Sequence, residues 1–279
     1  MTPSVPSPRP IKAAGFDPTR QPVLPCLPLP PLPAQCLQLD YIRDAFDRAV
    51  NWQVEPLFAQ AFGPDNPGSA QARQAAVLVP LVQRADGLQV LFTRRAEHLH
   101  HHAGQISFPG GRIEPEDGSP VAAALRETHE EIGVGSQFIQ VMGVQPTLLT
   151  TTQFLMTPVV GELLPGFQVH PDHAEVAEVF EVPLAVLMDP AQHRLHQLQT
   201  SLGHGRCYFS VCWRSHFIWG ATAILLRNFY YFLAASAGLR TLPDTLPSGS
   251  SVASGSRPDA SSVAPGRLLA VPAQARSKT

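Results

Sequence analysis

Apolar and polar positions alternate along this chain with two different periods, and the changes of period mark its elements. Leu39, Ile42, Ala45 and Phe46 recur three and four apart within residues 37–50, the spacing of one helix face. Residues 75–82 and 88–93 are short runs rich in branched side chains. Arg84-Ala85-Asp86-Gly87 joins them, and its Asp-Gly pair predicts a hairpin. Residues 105–108 read as a further short strand. Residues 119–132 predict a helix, with Ser119 as N-cap, Pro120 in the first turn and Gly133 as the C-terminal stop. Its apolar face is expected to run through Val121, Leu125, Thr128 and Ile132. The opposite face is expected to carry Glu127, Glu130 and Glu131. Residues 138–144, 156–164, 208–213 and 217–219 predict more strands. Residues 182–187 predict the start of a helix or a connection, and 221–234 a closing helix. Strands mixed with flanking helices imply an α/β fold in α/β/α layers.

Composition bounds where that fold ends. Eleven of the 29 prolines of the 279-residue chain fall within residues 1–36, which favours extended polyproline backbone over helix. Residues 241–279 are rich in Ser, Pro and Gly and poor in the side chains that offset ordering entropy. Both ends are expected to be disordered, which leaves 37–240 as the folded domain. A formal net charge of −2 lacks the basic stripe of a nucleic-acid binder. The four cysteines show no zinc spacing, and Cys207 and Cys212 are expected to be buried thiols. No apolar stretch follows Met1. The run 217–238 is interrupted by Arg227 and Asn228, so it predicts a buried helix and not a membrane span. The expectation is a cytoplasmic enzyme, monomer or homodimer, with no membrane or nucleic-acid partner.

The chemistry concentrates in Arg126-Glu127-Thr128-His129-Glu130-Glu131-Ile132-Gly133. Three carboxylates fall within about one helical turn, where like charges repel. A divalent cation makes such crowding favourable, and carboxylates, carbonyls and waters suit magnesium, with manganese as an alternative. Glu127 and Glu131, at i and i+4, can converge on one ion, and Glu130 can reach it or a second. Gly110 and Gly111 lie upstream, where a loop can approach a phosphate. Arg126, at i and i+4 from Glu130, is expected to orient carboxylates. On the strand holding Arg94 and Arg95, only one of the pair can face a site. His98, His100, His101 and His102 are spaced too closely for an ordinary zinc site and are expected to be exposed or hydrogen-bonded. Trp219 is expected in the core, and Glu178 and Glu181 in solvent.

Together, Gly111, Asp117 and Arg126-Glu127-x-x-Glu130-Glu131-x-Gly133 resemble the signature GX5EX7REUXEEXGU of the Nudix hydrolases, U being a large aliphatic residue. Asp117 stands where Glu is usual, eight residues and not seven separate it from Arg126, and Thr128 replaces an aliphatic residue. The runs Leu91-Phe92-Thr93-Arg94-Arg95-Ala96 and His102-Ala103-Gly104-Gln105-Ile106-Ser107-Phe108-Pro109-Gly110-Gly111-Arg112 resemble the coenzyme A pyrophosphatase branch. So do the long loop Glu114-Pro115-Glu116-Asp117-Gly118-Ser119 and the segments 175–184 and 218–223. His100 departs from that branch, which usually has Arg there.

The resemblance covers about residues 75–235 and implies a Nudix α/β/α sandwich with a mixed sheet. It implies Glu127 and Glu131 as principal metal ligands, Glu130 as an additional one and the Gly111 carbonyl as a backbone ligand. The base is then a signature glutamate or an acid from a later loop, for which Glu175 is the candidate. Arg94, Arg95, His102 and Arg112 are candidates for substrate contact. The implied activity is hydrolysis of coenzyme A or its thioesters to 3′,5′-ADP and (acyl-)4′-phosphopantetheine. Another nucleoside diphosphate derivative is the nearer alternative, and a non-catalytic Nudix-like binding module the more distant one.

Overall fold

Two long strands with opposite faces buried organise the chain. A computed structural model describes residues 16–26, 28–48, 50–63, 69–99, 102–198 and 206–241. In chain order its strands and α-helices begin with β1 (Val23–Leu24), α1 (Leu39–Asp47), β2 (Arg73–Arg84) and β3 (Gly87–Arg95). β4 (Ile106–Ser107), β5 (Gly110–Arg112), α2 (Pro120–Ile132), β6 (Ile139–Val144), β7 (Leu148–Leu149) and β8 (Phe154–Leu163) follow. The remainder are β9 (Val176–Pro183), α3 (Leu184–Leu187), β10 (Arg194–Leu198), β11 (Arg206–Trp213), β12 (His216–Trp219) and α4 (Ala221–Ser236). The hairpin between β2 and β3 forms at the expected residues, with Arg84 opposite Gly87.

β2 lies at the centre of an eight-stranded mixed sheet. It pairs parallel with β8 and antiparallel with β3 and β5, and β9 adds to the far side of β3. Side chains on a strand alternate between faces. Ala76, Leu78 and Val82 of β2 pack with Ala123, Ala124 and Ile132 of α2. Val77, Val79 and Leu81 turn the other way into the larger core with Leu226, Phe229 and Phe232 of α4. Helices therefore cover both faces of the mixed sheet, the α/β/α arrangement expected. A second sheet, in the order β1-β10-β11-β12, lies antiparallel throughout.

The N-terminal segment differs from the arm expected. Among its described residues, β1 pairs with β10, Cys36 is fully buried and Leu29 nearly so. The Tyr208 hydroxyl donates to the Pro18 carbonyl at 2.6 Å, and the Tyr230 hydroxyl to that of Pro30. Proline lacks a donor but keeps its carbonyl, so a Pro-rich strand end is held by hydroxyls that reach it from the body. Residues 1–15 and the tail from 242 lie outside the described residues, as do His100 and His101.

Arg227 and Asn228 do not break α4. Both are buried, Arg227 donates through Nε to the buried Glu55, and the Asn228 Oδ1 accepts from the Glu55 backbone N–H at 3.2 Å. The Arg227 guanidinium also lies 4.3 Å from the Phe209 ring centroid and 3.4 Å, through Nη1, from His193 Nδ1. Among the described residues no helix is long and apolar enough to cross a membrane. Cys207 and Cys212 are half-buried, which corrects the fully buried state expected of them.

Candidate active site

Helix α2 carries the site, and its ends form as its residues dictate. Ser119 Oγ accepts from the Ala122 N–H at 3.1 Å, Pro120 opens the first turn, and Gly133 closes the helix at φ 73°. The buried face is rotated from the one the periodicity implied, toward Glu131. Ala123, Ala124, Thr128 and Ile132 are buried, whereas Val121 and Leu125 are only partly so. Thr128, the polar stand-in for an aliphatic residue, satisfies its hydroxyl on the Ala124 carbonyl at 2.6 Å. Small side chains let α2 sit close to β2 and β5, and this brings the helix carboxylates to the glycine loop.

The three glutamates separate into different environments. Glu131 is 4% exposed and therefore does not share the solvent-facing side expected for all three. It accepts from the Gly110 N–H at 3.1 Å, and Arg95 Nη1 approaches at 3.7 Å. Burial pushes its carboxyl up to about 8, against the backbone hydrogen bond and the Arg95 charge, with Glu127 and Glu175 pushing the same way. Glu127 is half-buried, and burial raises it too, with Glu130 and Glu175 adding repulsion against the lowering effect of Arg126. Glu130 turns outward at 56% exposure to meet Arg126. Its position on the helix, one residue from Glu131, points it away from the buried pair.

Gly110 and Gly111 are required by what lies against them. A Cβ on Gly111 would fall 2.4 Å from the Glu127 carboxylate, and one on Gly110 would fall 2.3 Å from the Ala76 carbonyl oxygen. The first keeps the carboxylate against bare backbone, and the second lets β5 pair with β2 at the register Ala76 to Gly111.

Arg126 is the hub between these acids. It donates to Asp117 through Nε at 2.8 Å and Nη2 at 3.0 Å, a bidentate pair, and to Glu127 and Glu130 through Nη1 at 3.0 and 2.8 Å. Nη2 also donates to the Arg112 carbonyl at 3.0 Å, which ties the glycine loop to the helix. The hydrogen bond from Arg126 holds the Asp117 carboxyl below its ordinary value, and the same pair raises Arg126 further above its own. Asp117 therefore belongs to the candidate site, although in the sequence it stands only as a departure from the signature and as part of the long loop. Its separation from Arg126, set by a loop and not by helix spacing, left no periodic signal.

The remaining candidates divide. Glu175 lies close enough for its charge to raise both Glu127 and Glu131. Arg95 faces Glu131, and its Nε is buried with no hydrogen-bond partner among the described residues. Arg94 points to the other face of β3, where Nε donates to Glu178 at 2.9 Å. Arg112 sends its side chain away from Glu127, over the Phe154 ring at 5.9 Å, because neighbours on a strand alternate sides. Only its carbonyl joins the site. His102 is exposed and pairs through Nδ1 with Gln105 Oε1 at 2.6 Å, at φ 58°. Glu178 and Glu181 are not simply solvated, since Arg94 and His216 hold the first and Arg84 holds the second. Trp219 is half-buried and so does not belong to the core.

Among the described residues no three His, Cys, Asp or Glu side chains already converge as a metal cluster. The donor set nevertheless fits a divalent cation. Two carboxylates are drawn out of water beside a third acid, and the nearest positive charge to Glu131 is an arginine at 3.7 Å.

A mixed sheet between helices, with a glycine loop under a glutamate-bearing helix, defines a Nudix domain, and the family model for the NUDIX domain matches residues 72–200. The chain belongs to the Nudix hydrolase family and is a pyrophosphohydrolase of that family. It is 40% identical over 169 residues to the uncharacterized Nudix hydrolase NudL of Enterobacter sp. (strain 638), across 60% of this chain and 84% of that protein. To NudL of Cronobacter sakazakii it is 43% identical over 162 residues, across 57% and 82%. Among solved structures, the Nudix hydrolase RenU of M. smegmatis aligns at 24% identity and a TM-score of 0.34, covering 40% of this chain and 71% of that one.

Proposed function

We propose that the protein hydrolyses the diphosphate of coenzyme A or its thioesters, with magnesium or manganese, to 3′,5′-ADP and (acyl-)4′-phosphopantetheine. The observation that carries the reading is the buried Glu131 and half-buried Glu127, set against the side-chain-free backbone of Gly110 and Gly111. The substrate class rests on the resemblance of residues 91–119 to the coenzyme A pyrophosphatase branch.

Glu127, Glu131 and the Gly111 carbonyl would hold the cation, with Glu130 swinging in from Arg126 as a further ligand. When bound, the cation supplies charge neutralisation on the diphosphate and lowers the pKa of a bound water. Arg126, fixed by Asp117, orients Glu127 and keeps Glu130 at the rim. Arg95, beside Glu131 and with no hydrogen-bond partner for its Nε among the described residues, would offer its guanidinium to a phosphate oxygen. Glu175 is the base candidate, since it lies within electrostatic reach of both buried carboxylates. Removal of a proton from water by a carboxylate lets the oxygen attack one phosphorus, break the bridging P–O bond and release two phosphomonoesters.

The test is a panel of coenzyme A, acetyl-coenzyme A and other nucleoside diphosphate derivatives with magnesium, with Glu131→Ala as the blank. Turnover of the coenzyme A members, and loss of at least about a hundredfold in the blank, is expected. Wild-type turnover confined to the other derivatives would overturn the substrate assignment. No turnover of any member with either cation would favour a binding module.

A further inference from the structure

A second concavity lies on the opposite face of β3 from the carboxylates. It has a volume of about 440 Å³, within the range of small-molecule sites. One side comes from the domain matched by the family model, through Arg94, Gly104 and Glu178. The other comes from outside that match, through Thr19, His216 and Trp219.

Its polar wall is built and held. Arg94 Nε donates to Glu178 Oε2 at 2.9 Å, and Glu178 Oε1 pairs with His216 Nε2 at 3.2 Å. The His216 ring stacks on Phe180 at 3.8 Å between centroids, which fixes its plane, and its Nδ1 is buried with no hydrogen-bond partner among the described residues. The aromatic wall is equally held, with the Trp219 ring in contact with Phe16 at 5.9 Å and with Tyr208, edge to face, at 5.4 Å. A half-buried indole in the lining, beside a row of donors and acceptors, suits a planar heterocycle with a polar edge. Stacking supplies affinity, and the edge supplies orientation.

The two sites share one strand. Arg95 reaches Glu131 and Arg94 lines the pocket, and their Cα atoms are only about 3.8 Å apart. Both sites therefore lie at the same end of β3, on its two faces. We infer that the pocket bounded by Arg94, Glu178, His216 and Trp219 binds the base of the nucleotide half of the substrate. This inference rests on the proposal that the substrate is coenzyme A, which makes the base adenine.

The test is titration calorimetry of the full chain, in chelator, with adenosine and with adenosine 3′,5′-bisphosphate. Chelator removes any contribution from the metal site. Saturable binding of both is expected, weakened about tenfold or more by His216→Ala and by Ser215→Trp. Ser215 lines the pocket but lies in an exposed turn, so its replacement closes the mouth without disturbing the core. Thermal unfolding confirms that it folds. With coenzyme A as substrate, Ser215→Trp is expected to raise KM about tenfold while kcat stays within about twofold. Absence of adenosine binding to wild type, or binding and KM insensitive to Ser215→Trp, overturns the inference. Variant-sensitive adenosine binding without coenzyme A turnover upholds the pocket and removes only the substrate assignment.

Discussion

Replacing Glu131 by Gln should stabilise the protein in chelator and do so increasingly as the pH rises. The carboxyl is 4% exposed and raised to about 8 in the folded chain, against 4.5 as its ordinary value. A carboxylate raised on folding favours the folded state at low pH, where both states are protonated. Its contribution falls as pH rises through the window from 4.5 to about 8, because the unfolded chain releases its proton first. That interval corresponds to about 5 kcal/mol as an upper bound, since water reaching the site and relaxation around it reduce the value. Even about 2 kcal/mol shifts Tm by roughly 4–8 °C in a domain of this size. Gln keeps the shape and can still accept from the Gly110 N–H, but it carries no charge.

The assay is thermal unfolding of wild type and Glu131→Gln from pH 5 to 9 in EDTA. The two should nearly coincide at pH 5, with the variant ahead by several degrees at pH 9. Magnesium should reverse the order, because it stabilises only the chain that binds it, by an amount set by its concentration over Kd. A difference independent of pH, or a variant less stable than wild type at pH 9, would refute the account of Glu131 as a desolvated, underneutralised carboxylate.

Three further outcomes follow from the same geometry. Asp117→Ala removes the bidentate pair and leaves Arg126 Nη2 only the Arg112 carbonyl, so hydrolysis measured by steady-state kinetics should fall about ten- to hundredfold, chiefly in kcat, with little change in Tm on thermal unfolding. Gly111→Ala sets a methyl 2.4 Å from the Glu127 carboxylate, so that side chain must move; titration calorimetry should show magnesium affinity reduced at least about tenfold. Glu55→Leu or Arg227→Met alone should cost about 3–5 kcal/mol in urea unfolding by stranding the buried partner, and the double variant should lose less than either single one.

Local pattern was enough for the elements that carry their own punctuation. Ser119, Pro120 and Gly133 each act on backbone groups within a few residues, and Asp86-Gly87 turns the chain on itself, so α2 and the hairpin stand at their expected places. Among the strands that were missed, β9 and β10 carry Glu178, Glu181, Arg194 and Gln197 among their apolar residues, and what makes them strands is pairing with β3 and β11. The motif marked the acids but not their roles. Glu130 and Glu131 are neighbours in sequence, yet one is exposed and the other buried, because the close packing of α2 on β2 and β5 selects a single arc of the helix.

Likewise, adjacency on β3 made Arg94 and Arg95 equivalent in sequence, and the sheet sends them to opposite faces. Asp117 and Arg126, and Glu55 and Arg227, are joined across loops and layers, by distances that no period encodes. The sequence by itself determined the hydrolase family, the glutamate-bearing helix and the glycine loop, since these are marked by short local patterns along the chain. Tertiary structure decided which charges lose their water and which find a partner, because desolvation depends on everything packed around a group and not on the residues beside it in the chain.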